Sequence, residues 1–126
     1  MVDLFEEARA TELDERLARR ERGILAAERL LGAATLDGQH ALGWTDAGAL
    51  RVGARADLVA VDLNSVRTAG GGATVENVVF AATAADVTDV VVDGRVVVAE
   101  RRHLGVDDVG AALGETISAL MEEAVR

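Results

Sequence analysis

The sequence predicts an α+β fold in which helices come first, strands follow and a helix closes the chain. Three observations carry that prediction. Apolar residues recur every three to four positions between residues 4 and 34, the period of amphipathic helices. From Gly38 the pattern changes to short valine-rich runs broken by glycine, as in strands and turns. Beyond residue 107 the helical spacing returns.

Asp3 with Glu6 three residues on is a capping-box-like start for the first helix. Leu4, Ala8, Ala10, Leu13 and Leu17 give it an apolar stripe, and Gly23 is expected to end it. A second helix over 24–34 places Ala27, Leu30, Leu31 and Ala34 at i, i+3, i+4 and i+7, and ends in Ala34-Thr35. A glycine-punctuated turn through Leu42-Gly43 leads to a short alternating strand at 48–52. The turn Gly53-Ala54-Arg55 then enters a strand at 56–62, whose continuous apolar run between Asp57 and Asp62 predicts burial on both faces.

Residues 64–74 read as a flexible surface connection with glycines at 70–72. The Lys-Ser/Thr context of a phosphate loop is absent there. Thr74 is placed to cap a helix over 75–82, with Val75, Val78, Val79 and Ala82 at helical spacing. Strands at 87–93 and 95–100 flank Asp93-Gly94, a dipeptide suited to a type I′ turn because both positions need φ > 0. The segment 107–126 is an amphipathic helix with Val109, Leu113, Ile117, Leu120 and Met121 on one side. Asp107 and Asp108 complement its N-terminal dipole. The expected organisation is therefore a helical unit at 1–37, a small β-domain at 38–104 and a carboxy-terminal helix at 105–126.

Composition narrows the function classes. Half of the 126 residues are hydrophobic, yet two Phe and one Trp are the only aromatics, so the core must be aliphatic. Net charge is −9, and all 13 basic residues are arginine. Such a chain is poorly suited to nucleic acid, whose affinity comes from cations displacing phosphate counterions. Arg16, Arg19, Arg20 and Arg22 sit among Glu12, Asp14, Glu15 and Glu21, a solvated face laced with i,i+4 pairs. The chain has no cysteine, no basic leader with an apolar run, and no apolar run near the roughly 20 residues of a membrane span. The expectation is a soluble, cytoplasmic protein that binds neither nucleic acid nor membrane.

Candidate catalytic groups are sparse. A mononuclear hydrolytic metal site needs three or four His, Asp or Glu ligands, usually with paired histidines. Only His40 and His103 are present, 63 residues apart, and each reads as a surface or turn histidine. Asp93 is explained by its turn, and Asp57 and Asp62 by strand ends. Ser65 and Ser118 lack a nearby His-Asp partner. The Glu pairs at 6–7 and 122–123 point to solvent. The sequence therefore assigns no catalytic, cofactor-binding or metal-binding residue to this chain.

Three segments in order carry a family resemblance: Ala34-Thr35-x-x-Gly38-x-x-Ala41-Leu42-Gly43, Gly48-x-Leu50-x-x-Gly53-x-x-Ala56-Asp57-Leu58-Val59, and Val90-Val91-Val92-Asp93-Gly94-Arg95. Together they resemble the carboxy-terminal signature of the amidohydrolase superfamily. Within it, residues 3–9, Leu13-Asp14-Glu15-Arg16-Leu17, Ala41-Leu42-Gly43-Trp44, Asp62-Leu63-x-Ser65-Val66-Arg67-Thr68 and Val79-Phe80-Ala81-Ala82 are most similar to formimidoylglutamate deiminases of histidine degradation.

The resemblance implies a (β/α)8-barrel hydrolase in which a divalent metal, usually zinc, activates water to attack a C=N carbon and release ammonia. It places Met1-Val2 just after the eighth barrel strand. The helices of 3–36 then become the last helices of a truncated barrel, followed by the small β-domain and the carboxy-terminal helix. The metal ligands would precede residue 1, so no cofactor is expected in this chain itself and the chain is expected to be inactive alone. It also implies that the partner is the remainder of the barrel, or failing that self-association, and that the full-length enzyme is a homodimer. Two alternatives stand beside the deiminase: another amidohydrolase, such as a heterocycle aminohydrolase or an imidazolonepropionase, or a non-enzymatic interaction module.

Overall fold

The computed structural model describes residues 3–124. The expectations for Met1-Val2 and for the last two positions of the terminal helix therefore fall outside the described residues. Helix α1 (Leu4–Arg19) opens on Asp3, whose carboxylate accepts the Phe5 N–H at 2.9 Å. It is followed by α2 (Ala27–Gly32), a five-residue π-helix (Ala33–Asp37) and α3 (Gly38–Ala41). Strand β1 (Leu58–Val61), helix α4 (Val75–Ala81), a 3₁₀ turn (Ala84–Asp86), strands β2 (Val87–Val92), β3 (Arg95–Ala99) and β4 (Arg102–His103), and helix α5 (Val109–Ala124) complete the order. The α+β class holds.

The core sits among the helices, where Ala27, Leu30 and Val79 are buried against Ala8, Leu25, Leu31 and Val75. Polar clamps hold these helices in place. Arg9 reaches from α1 to the end of α4, donating to the carbonyls of Val79 at 3.2 Å and Ala82 at 2.7 Å. These are among the carbonyls that a helix end leaves without intrahelical partners. The second Asp3 oxygen accepts the Ala84 N–H at 3.1 Å, so one carboxylate ties α1 to the start of the 3₁₀ turn.

The sheet is antiparallel in the order β1-β2-β3-β4. Leu58 faces Val91 and Ala60 faces Asp89, with an irregularity between Ala60 and Val61. The β2–β3 turn is as predicted, with φ of +49° at Asp93 and +76° at Gly94. Thr74 caps α4 through the Asn77 N–H at 3.2 Å, also as predicted.

Five expectations need correction. Helix α1 stops at Arg19, with Arg20 at φ +56° as its left-handed cap, so Gly23 is not the terminator. The second helix does not end at Ala34-Thr35. It opens into the π turn, where the Thr35 hydroxyl donates to the Leu31 carbonyl at 2.7 Å, and continues to Ala41. Gly38 allows this, because a Cβ there would lie 2.8 Å from the Ala33 carbonyl oxygen.

The predicted strand at 48–52 is absent. Gly48 and Gly53 both have φ near +86°, the Ala54 N–H closes a turn on Arg51, and the Arg55 N–H bonds the Asp46 carbonyl at 2.7 Å. Strand β1 is an edge strand and its Leu58, Val59 and Ala60 are exposed, not buried on both faces. The loop at 64–74 is pinned: the Asn77 amide donates to the carbonyls of Thr68 and Gly72, both at 2.9 Å.

Little of the apolar surface is covered. The buried apolar residues among those described are Ala27, Leu30, Ala47, Val79 and Ala82. Every residue of α5 is exposed, and at its start Asp108, placed by the sequence beside the helix dipole, accepts the Ala111 N–H at 2.9 Å. The chain exposes 9,319 Å², whereas a compact monomer of 13.1 kDa exposes about 6,400 Å².

Candidate functional site

The groups able to do chemistry are dispersed or already engaged. His40 is exposed at the end of α3. His103 is exposed on β4, and its Nδ1 accepts the Gly105 N–H at 3.0 Å. Ser65 Oγ lies 3.1 Å from the Thr68 hydroxyl and accepts the Arg67 N–H, which makes it part of a loop turn. Ser118 stands on exposed α5. The Glu6-Glu7 and Glu122-Glu123 pairs meet solvent. No nucleophile is set beside a base in these positions.

The three buried carboxylates are each saturated. Glu12 accepts the N–H groups of Gly23 at 3.1 Å, Ile24 at 3.3 Å and Leu25 at 2.7 Å, and so fixes the α1–α2 connection. Asp86, fully buried, accepts two N–H bonds from Arg67 and one from the Thr83 backbone. Its carboxyl is held far below the usual carboxylate range, chiefly by the Arg67 guanidinium. For Asp3, burial pushes the carboxyl up, but the N–H groups of Ala84 and Phe5 outweigh it and the net shift is downward.

Asp57 accepts the Asp93 N–H at 2.7 Å, consistent with its strand-end reading. Asp62 accepts the Asn64 N–H and a 2.8 Å ion pair from Arg101, and these lower its carboxyl in that order. The arginines behave as a solvated face in part. Arg19 pairs with Glu15 at 2.7 Å, while Arg16 reaches the buried Glu12 at 3.8 Å.

The glycines at 70–72 cradle protein, not phosphate. A Cβ on Gly71 would overlap the Asn77 amide, so the missing side chain is what lets that amide reach two loop carbonyls. Beside it lies an apolar groove of about 270 Å³ lined by Leu31, Leu63, Ala73, Thr74, Val75 and Val78. Its one polar side chain, Thr74, is spent on capping α4. On the sheet side, Arg55 stacks 4.6 Å from the Trp44 ring and reaches Asp46 and Asp93, which fastens the 42–57 loop to the β2–β3 turn.

A divalent metal does not fit the described residues. No group of three His, Cys, Asp or Glu side chains converges among them, and the buried acids already have donors. No chemical step is therefore assigned to a residue of this chain. What the described surface does offer is uncovered apolar area: Leu13 and Leu17 on α1, Leu50 and Val52 in the 42–57 loop, and the apolar side of α5. The sequence reads Glu12 as one member of a solvated charge run and gives no structural role to Arg9, the Arg67–Asp86 pair or Asn77. Asn77, three residues after the Thr74 cap, and Asp86, three residues after Thr83, lie at positions where a local capping rule operates.

Comparison with known proteins shows the family. The amidohydrolase family profile matches residues 1–97. An S-triazine hydrolase of Gordonia rubripertincta is 34% identical over 101 residues, which are 79% of this chain and 21% of that protein. A 5-methylthioadenosine/S-adenosylhomocysteine deaminase of Pelotomaculum thermopropionicum is 33% identical over 107 residues, 85% of this chain and 25% of that protein. Among solved structures, an adenosine deaminase from Xanthomonas campestris with bound zinc superposes with a TM-score of 0.84 at 31% identity, covering 95% of this chain and 27% of that one. The chain thus spans about a quarter of the length of the relatives it matches. It belongs to the amidohydrolase family.

Proposed function

We propose that this chain is the carboxy-terminal, non-catalytic part of an amidohydrolase that hydrolyses a C–N bond of a nitrogen heterocycle and releases ammonia. The observation that carries the reading is the uncovered surface. About 2,900 Å² more is exposed than mass scaling predicts for a compact monomer, more than the roughly 1,000–2,500 Å² that one partner contributes to an obligate interface. In this reading α1 to α3 are the last helices of the barrel. The sheet and α4 form the small β-domain, and the metal ligands and substrate loops belong to the rest of the enzyme.

The deaminase and triazine-hydrolase relatives favour a heterocyclic substrate. The local segments similar to formimidoylglutamate deiminase keep that substrate as the second reading. The experiment is to assay the chain with zinc, alone and co-expressed with the portion of the enzyme encoded upstream. The panel should hold adenosine, 5′-deoxyadenosine, methylthioadenosine, a chloro-s-triazine and N-formimidoyl-L-glutamate. Ammonia release only from the co-expressed pair is expected, and chloride release from the triazine would be C–Cl hydrolysis and contradict the C–N reading. Turnover by this chain alone overturns the proposal, and the substrate accepted decides between the two readings.

A further inference from the structure

We propose that α5 is the arm that fixes this chain to the catalytic portion of the enzyme, seating its apolar side in a groove with a basic rim. This rests on the reading above and deepens it by naming the docking element and the chemistry of its receiving surface. All sixteen residues of α5 are exposed, and Val109, Leu113, Ile117, Leu120 and Met121 lie along one side of it. A lone helix of this length is marginal in water, so an amphipathic one is held by whatever covers its apolar face.

The structural neighbour shows where such a cover would be. At most about six residues of this chain fall outside the superposition with the Xanthomonas campestris enzyme, fewer than α5 contains. Most of α5 therefore has an equivalent in a protein about three and a half times as long, although among the described residues none buries it. Charge selects the receiving surface. Residues 104–124 carry Asp107, Asp108, Glu115, Glu122 and Glu123 and no basic residue. A second copy of the chain, itself at −9, would bring like charge to that helix, whereas an apolar groove edged by arginine or lysine complements it.

The test uses the full chain co-expressed with the upstream catalytic portion. Co-elution on size exclusion and the dissociation constant of the pair are measured for the unmodified chain, for Ile117→Glu and for Ala119→Glu on the far side of the helix. Ile117→Glu is expected to weaken assembly by more than about 30-fold, because it sets a carboxylate into an apolar contact. Ala119→Glu is expected to stay within about threefold, and raising salt should slow association. Circular dichroism controls for folding, and Ile117, half exposed, is not part of the helical core. Equal assembly by Ile117→Glu overturns the α5 assignment and leaves the parent reading standing. A dimer of the isolated chain that Ile117→Glu dissolves also overturns it, in favour of a second copy. Failure of the unmodified chain to co-elute overturns both.

Discussion

Arg67 grips the fully buried Asp86 with two donors, Nε at 2.8 Å and Nη2 at 2.6 Å. The same carboxylate closes a capping box with Thr83 at the 3₁₀ turn that feeds β2. One ion pair therefore joins the 64–74 loop to the entry of the sheet.

This pair sets an acid limb on stability. Asp86, Asp62 and Asp3 all have folded carboxyls below their ordinary values. Groups shifted this way stabilise the fold above the unfolded carboxylate value, about 3.9, and lose that contribution as pH falls through the folded one. We predict that thermal unfolding midpoints are flat from pH 7 to about 5 and drop steeply below about 4. Asp86→Asn should lower the midpoint at pH 7 by at least about 5 °C and flatten the acid limb. Differential scanning calorimetry across pH checks both, and a variant with the same acid slope as the parent contradicts the assignment.

Glu12 makes a sharper prediction, because its carboxylate is the common acceptor for three successive backbone N–H groups at 23–25. Glu12→Ala leaves those donors in a part-buried turn with no protein acceptor, a loss of about 2–4 kcal/mol. Glu12→Gln keeps one acceptor oxygen and should lose roughly half as much. Urea denaturation of the two variants measures the order. Equal stability of Glu12→Ala and the parent would show that water replaces the carboxylate.

What was legible in the sequence follows from which forces act locally. The Thr74 cap, the Asp93-Gly94 turn and the helical spacing of α1, α4 and α5 depend on neighbours within a few residues, and all are present. Glu12 reads as one member of a solvated charge run because its partners lie eleven to thirteen residues away. Asp86 and Arg67, 19 apart, leave no periodic trace either. The failed strand at 48–52 has the alternation of a strand, but two glycines at positive φ, with no adjacent β-strand among the described residues, turn it into a loop. The saturation of Glu12 and of the second Asp3 oxygen leaves no local trace, because their backbone donors lie eleven or more residues away.

Gly48 and Gly53 separate two costs that a glycine-rich motif conceals. Both sit near φ +86°, but a Cβ on Gly48 would lie 2.7 Å from the Leu36 Cα, while one on Gly53 meets nothing within 4 Å. Gly53→Ala should cost about 1–2 kcal/mol, the strain of a left-handed L-residue. Gly48→Ala adds a clash with the π-helix backbone and should cost at least about 3 kcal/mol. Chemical denaturation ranks them. Equal losses would mean that the loop moves off the π turn freely.

The last prediction concerns the uncovered surface. Leu17 on α1, Leu50 and Val52 in the 42–57 loop, and Leu120 on α5 are each at least 60% exposed. Contiguous apolar patches beyond a few hundred Å² are uncommon on monomers and bind partners, dye or each other. The isolated chain should therefore enhance the fluorescence of a hydrophobic dye in its native state at pH 7, and co-expression with the catalytic portion should suppress that signal. Leu17→Gln should reduce the signal only in part, because the exposed side chains lie on separate elements. A stable monomer that leaves the dye dark would mean that the apolar side chains find cover within this chain, and would remove the physical basis for assigning it to a larger enzyme.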